Sequence, residues 1–268
     1  MTTLRRTNET PHVLLLGASG VSGLALIKEH LALADSAANK PYLTLYVRAS
    51  GRSKLTSVLP SATKSDNPAP RIRIVEGGLT DAAAVRTALS ADATFPKVTA
   101  VLSVLGAYMS LYHFLTRTQP TPIGDALNST IIPAMQELNV NRILVLSTTG
   151  AFPVPGEDKT KSWGWYLNSF IPWIVVPQGN AEMRAIGEAV LNNKGNSLQP
   201  VKGLSATVFR VPLLTNESSD LEVVAFILGG ENNTENKTLS RGSMSRWLFK
   251  ELEEGKWVGG APSLCNRG

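Results

Sequence analysis

One cysteine, Cys265, stands in a chain of 268 residues. A single thiol excludes a disulfide framework and any metal site built on cysteine pairs. Three scattered histidines, His12, His30 and His113, offer no zinc-ligand spacing, so no metal is expected. No stretch reaches the ~20 apolar residues that a membrane-spanning helix needs, and no secretory leader with an apolar centre is visible. The expectation is a cytoplasmic protein without a membrane span. In that compartment the sequons at Asn8, Asn128, Asn216, Asn232 and Asn236 stay unmodified. The net charge of +5 comes without dense Lys/Arg clusters. This excludes a nucleic-acid binder and suits an anionic cofactor.

What the chain does have is core material: 43% of its residues are hydrophobic and 18% charged, which excludes a disordered protein. Strand and helix patterns alternate along it. Strands are expected at His12–Leu16, Tyr42–Val47, Arg71–Val75, Val98–Leu105, Arg142–Leu146 and Leu204–Val211. Helices are expected at Val21–Leu33, Thr80–Leu89 with Thr80 as N-cap, Ile123–Leu138 interrupted by Pro133, Asn180–Leu191 and Ser243–Glu253. Residues 60–70, with three prolines, read as a surface loop. Strands separated by helices predict right-handed βαβ units. The fold class is therefore α/β, a doubly wound Rossmann-type parallel sheet with a small C-terminal region covering the substrate. Residues 1–10 read as a flexible tail, 11–215 as the nucleotide-binding core and 216–268 as an extension packed on the same domain. In that extension Glu251, Glu253 and Glu254 read as a solvated face.

The most informative segment is Leu14-Leu-Leu-Gly17-Ala-Ser19-Gly20-Val21-Ser22-Gly23-Leu24. Three glycines follow a strand and open a helix at GxxGxxG spacing, a variant of the dinucleotide fingerprint. Gly17 allows the tight turn, Gly20 lets the backbone approach a pyrophosphate, and Gly23 lets the helix pack on the sheet. A tight turn with no ligand is the alternative. An NAD site usually offers a carboxylate at the end of the second strand. This chain instead has Arg48, Ser50, Arg52, Ser53 and Lys54 there. Arg48 is placed to clamp a 2′-phosphate, assisted by Ser50, Arg52 or Lys54, which favours NADP. A solvated basic loop is the alternative.

Together with Gly77-Gly-Leu-Thr-Asp81, Leu102-Ser-Val-Leu-Gly106 and Leu146-Ser-Thr-Thr-Gly150, these residues resemble the atypical short-chain dehydrogenase/reductases. Within that group the chain is similar to the NmrA-like NAD(P)-binding proteins, and most to the fungal averufin-oxidase-like members of polyketide pathways. The resemblance covers roughly residues 11–215. It implies that Gly17, Ser19, Gly20, Val21, Ser22 and Arg48 line the phosphates. It also sets Leu79 and Thr80 by the adenine, and Ser103, Val104 and Leu105 by the ribose. Ser147, Thr148 and Thr149 would sit near the nicotinamide, with Arg210, Val211 and Pro212 behind it.

The chain departs from the family in its chemistry. The family's Tyr-x-x-x-Lys pair occurs nowhere in it. On the helix that should carry the pair, Asn180 stands in the tyrosine position and Arg184 in the lysine position. Asparagine is no proton donor near neutrality, although Arg184 could still bind ribose. Two routes remain. An electron-poor quinonoid substrate could be protonated from water, or Ser147, Thr149 or Tyr166 could supply the proton. Residues 151–178 place Trp163, Trp165, Tyr166 and Trp173 after the fifth strand, one wall of a pocket for a planar aromatic substrate. A subunit interface, with a homodimer in view, and a shallow membrane-surface anchor are the other readings of that insertion. A second cluster, Tyr108 to Phe114, carries His113, either a general acid or an ordinary loop histidine. The function expected is an NADP(H)-dependent oxidoreductase on a planar aromatic or quinonoid small molecule, in secondary metabolism. The alternative is a redox sensor that binds NADP without turnover and reports to a protein partner.

Overall fold

A computed structural model describes residues 10–33, 40–107, 119–157, 177–194, 197–217, 220–228 and 238–267. The chain begins with β1 (His12–Leu16), α1 (Val21–Ala32), β2 (Tyr42–Val47), the single helical turn α2 (Ala49–Arg52), β3 (Ile72–Glu76), α3 (Ala82–Leu89) and β4 (Ala100–Ser103). It continues with α4 (residues 122–137), β5 (Arg142–Ser147), α5 (Pro177–Val190), β6 (Leu191–Lys194), β7 (Ser197–Pro200) and β8 (Ser205–Arg210). The last elements are β9 (Leu213–Thr215), β10 (Val223–Phe226), β11 (Thr238–Ser240), α6 (Arg241–Glu254) and β12 (Ser263–Asn266).

Eight strands form one sheet in the order β10-β12-β8-β5-β4-β1-β2-β3. All of its neighbours run parallel except β10, which is antiparallel to β12. The expected α/β architecture is what forms. The inner strands β1 and β4 are buried along their whole length, as continuous apolar runs must be when helices cover both faces. In register, Leu15 stands between Leu45 of β2 and Leu102 of β4, at the centre of the core. The order reverses at β1: β2 lies on one side and β4 on the other, which opens a crevice between their carboxyl ends.

Several local expectations change. The N-cap of α3 is Asp81, not Thr80: a turn closes from Gly78 O to Asp81 N–H, and the Asp81 carboxylate then accepts Ala84 N–H at 3.0 Å. Pro133 does not break α4. Its missing N–H and bulky ring are accommodated by a π-turn over Leu127–Ile131, where Ile132 N–H reaches back five residues to Leu127 O. Residues 60–70 begin with a 3₁₀ turn, Pro60–Thr63, that buries Leu59 and Ala62. Leu191, expected to end the α5 helix, opens the β6–β7 hairpin instead.

The C-terminal extension does more than pack on the domain: it supplies β10 and β12 to the main sheet. Helix α6 packs on α1, with Arg246 Nε 2.8 Å from Glu29. Ser240 caps its start and Gly255, at φ +60°, its end. Glu251 is no part of a solvated face: its carboxylate is 2% exposed and takes Arg142 Nη2 at 2.8 Å and Trp257 N–H at 2.9 Å. Arg142 sits at the start of β5, so a sheet cation draws this acid inward.

Candidate cofactor-binding site

Strand β1 ends in a turn that only glycine can make. Gly17 has φ +87°, and its own Cβ position lies 3.2 Å from both Leu105 N and Val104 C. The β1 turn thus lies flat against the exit of β4. A Cβ on Gly23 would come within 2.3 Å of Gly17 O and 2.6 Å of Ala18 O, so only glycine lets α1 start this close to the strand. Gly20 N–H closes the turn on Gly17 O at 3.0 Å. Gly20 is the N-cap of α1, and no side chain among the described residues caps that end. Its first-turn N–H groups and the positive end of its dipole therefore face the crevice, an arrangement suited to a diphosphate. Val21, 60% exposed, stands at the same mouth.

The β2 exit lies beside this turn. Gly51 leaves room for Ser19, whose Oγ would be 2.7 Å from a Cβ there. Arg48 is exposed at the end of β2, with Ser50 and Lys54 also exposed. Arg52 is not available to assist it. Its guanidinium bonds Glu76 at 2.8 Å, Asp66 at 2.7 Å and the carbonyls of Ala62 and Ser65. It folds the loop after β2 back onto β3.

On the other side of the crevice, Ser103 ends β4. Its hydroxyl is fully buried and finds no partner among the described residues. Val104 is buried and Leu105 half-buried beside Gly17. Leu79 and Thr80 lie on the β3–α3 turn at the same edge, Thr80 exposed.

The ends of β5 and β8 are more heavily tied. Ser147 is sealed from solvent and donates to Met183 O at 2.7 Å. Thr149 shares a hydrogen bond of 3.1 Å with Ser263 on β12. Arg184 is exposed, and its Nε donates to Ala151 O at 3.1 Å. Arg210, in register with Ser147 and Ser263, is fully buried. Its guanidinium holds the Glu157 carboxylate at 2.5 and 2.8 Å and Phe152 O at 3.1 Å. Ser147, Thr149, Arg184 and Arg210 are thus gathered around residues 147–157, but as the bonds that fix this loop. Pro212 is half-buried just beyond β8 and Asn180 half-buried in the first turn of α5. Tyr166, the tryptophans of 158–176 and His113 lie outside the described residues.

Glu182 leaves no signal in the sequence pattern. From α5 it accepts the N–H groups of Ile123 (3.0 Å) and Gly124 (2.9 Å), capping α4 from a neighbouring helix. Burial pushes its carboxyl upward, against those two bonds. Gly124 also lets the helices touch: a Cβ there would lie 2.6 Å from that of Ala185. Glu157 escaped notice in the same way, since a carboxylate that binds across the fold leaves no local spacing to read.

The crevice fits a dinucleotide by this structure's own features: a glycine cradle with no room for side chains, an uncapped helix start and a buried hydroxyl in need of a partner. No curated protein matches the chain. Among solved structures, a short-chain dehydrogenase/reductase from Veillonella parvula DSM 2008, in complex with NADP, aligns with a TM-score of 0.63 at 18% identity. That alignment covers 97% of this chain and 96% of the other. A Rossmann-fold NAD(P)-binding family protein from Shigella flexneri gives 0.57 at 18%, over 97% and 95%. ChuY, an anaerobillin reductase from Escherichia coli O157:H7, gives 0.55 at 16%, over 96% and 97%. At such identities the likeness carries the fold. The sequence pattern of the NAD(P)H-binding family, by contrast, matches residues 17–255 directly, from the glycine turn to the end of α6, and the chain belongs to that family.

Proposed function

We propose that the protein is an NADP(H)-dependent oxidoreductase acting on a planar aromatic or quinonoid small molecule. The observation that carries the reaction class is the state of the β5 edge. Ser147 has committed its proton to Met183 O, and α5 presents Asn180 and Arg184 instead of an acid and its lysine. A substrate reduced here is one that accepts a hydride without a protein acid and takes its proton from water. Electron-poor conjugated rings meet that condition, whereas simple aldehydes and ketones do not.

The chain's own residues would act as follows. The N–H groups at the start of α1 bind the diphosphate, and Arg48 takes the 2′-phosphate. Ser103 donates to a ribose oxygen. Arg184 and Arg210 hold the 147–157 loop against the nicotinamide end through the Ala151 and Phe152 carbonyls. The bound cofactor supplies the hydride. The three tryptophans among residues 158–176 of the sequence support a flat substrate, and a place among the averufin-oxidase-like proteins of polyketide pathways agrees with it.

The test is loss of the reduced-nicotinamide absorbance when the protein is mixed with NADPH and a panel of quinones, flavins and aldehydes. Turnover of quinones with aldehydes inert is the expected result. Silence across the panel despite cofactor binding would favour a second reading, an NmrA-like sensor that reports the cofactor's redox state to a protein partner. The absence of the Tyr-x-x-x-Lys pair supports that reading too. A sensor would separate NADP from NADPH by affinity and retain a partner in pull-downs.

A further inference from the structure

One carboxylate lies beside the strand end that carries Arg48. Glu76 closes β3, in register with Val47, the residue before Arg48. Parallel neighbours run about 5 Å apart, well inside the Debye length of about 8 Å at physiological salt. The acid does not stand free. It is 38% exposed and meets Arg52 Nη1 at 2.8 Å. The Arg52 guanidinium has little freedom of its own: Nε donates to Ala62 O at 2.7 Å, and Nη2 to Ser65 O at 2.9 Å and to Asp66 at 2.7 Å. Two backbone carbonyls thus pin the fork and leave Nη1 for Glu76. Asp81, the acid of the β3–α3 turn, is occupied in capping α3.

The consequence is electrostatic. A carboxylate at the end of the second strand accepts the ribose hydroxyls of NAD, and its charge opposes a phosphate at the same place. Left unpaired, Glu76 would bring such a carboxylate to the β2 exit from the adjoining strand. Bonded to Arg52, it is neutralised and tied to residues 62–66. The exposed cations Arg48 and Lys54 then set the sign of the field there.

We propose that Arg52 determines cofactor specificity without touching the cofactor: by pairing with Glu76 it silences the one carboxylate at the β2 exit that would repel a 2′-phosphate. The proposal rests on the crevice being the NADP site. It makes the Arg52–Glu76 pair, rather than a further phosphate ligand, the feature that turns the site from NAD to NADP. A merely structural Arg52 would hold the loop whether or not Glu76 carried a charge, so removing that charge separates the two roles.

Calorimetry with NADPH and NADH on the wild type, Arg52→Gln and the double variant Arg52→Gln/Glu76→Gln tests this. Arg52→Gln should bind NADPH about fivefold more weakly or worse, the scale of one like-charge contact in water, with no loss of NADH affinity. The double variant should recover the wild-type affinity for NADPH, because the acid has gone with its partner. Wild-type affinity for NADPH in Arg52→Gln would overturn the proposal and leave the cofactor site intact. So would a loss that Glu76→Gln does not restore, since Arg52 would then only build the loop. If Arg52→Gln fails to fold, the double variant decides: it should still prefer NADPH, and equal affinities would overturn the proposal. A wild type that binds both cofactors equally would overturn the choice of NADP, and one that binds neither would overturn the site itself, each taking this proposal with it.

Discussion

Gly23 shows how little room a single residue can have. Its missing Cβ is filled by two backbone oxygens, Gly17 O and Ala18 O, neither of which can swing aside as a side-chain tip would. Gly23→Ala should therefore cost about 1–3 kcal/mol in urea unfolding, as overpacking does, and weaken NADPH binding because Gly17 O belongs to the cradle. A variant as stable as the parent would mean that the α1 start is looser than drawn. Arg48→Ala tests the proposed cofactor choice. Calorimetry with NADPH and NADH should give a preference of at least about 1–2 kcal/mol in the wild type and none in the variant. Equal affinities in the wild type would overturn the choice of NADP. At this scale the sequence shows residues whose role is local. The turn at Gly17 and the close packing at Gly23 were legible because the positive φ of the one and the Gly17 and Ala18 oxygens against the other arise within six residues of chain. Arg52 did not, since its partners Asp66 and Glu76 arrive from 14 and 24 residues away.

Among the elements, α4 and α5 depend on each other through Glu182. Glu182→Ala would leave Ile123 and Gly124 N–H groups without an acceptor inside the helix pair, at a cost of about 2–4 kcal/mol. Glu182→Gln keeps an acceptor and should cost far less. Its pH dependence has a definite sign. Burial raises the folded-state pKa of Glu182, so the wild type is most favoured below pH 4.5, the ordinary value. That advantage is lost as pH rises and the buried group ionises. Relative to the wild type, Glu182→Gln should therefore gain stability between acid and neutral pH; a constant difference would refute the raised pKa. Strands were the most legible elements, because β1, β2 and β5 are continuous apolar runs with sharp ends. The π-turn in α4 was invisible. Pro133 announces a disturbance, but whether the helix kinks or widens depends on the packing around Leu127 and Ile131.

For the molecule as a whole, polar groups buried at the amino ends of the strands matter most. His12 is fully buried, with Nδ1 against Pro96 O and Nε2 2.7 Å from Thr44 Oγ1, which also accepts Arg73 Nε. Thr44 must then donate to Nε2, which fixes the neutral Nδ1–H tautomer. Burial lowers the His12 pKa from 6.5 to about 4, with the Pro96 bond opposing. The unfolded chain takes up its proton first, so this contribution is complete above pH 6.5 and lost on descent to pH 4. The loss amounts to about 3 kcal/mol. Urea unfolding of the wild type and His12→Asn should diverge in slope within that window; parallel curves would refute it. The Arg142–Glu251 pair fastens α6 beneath β5, and Glu251→Ala should cost about 3–5 kcal/mol by stranding a buried guanidinium. Composition and alternation made the parallel sheet legible, but not the enrolment of the last residues in it. β10 and β12 are four residues each, with Asn266 and Ser263 buried among their apolar neighbours.

That late strand carries the chain's sole thiol. Cys265, 1% accessible, lies in β12 between β8 and the antiparallel border strand β10. A maleimide reagent can reach it only when that margin peels away, so the labelling rate is a built-in clock for local opening. Saturating NADPH would leave the clock unchanged if the margin opens alone, and slow it if the margin lets go only when everything does.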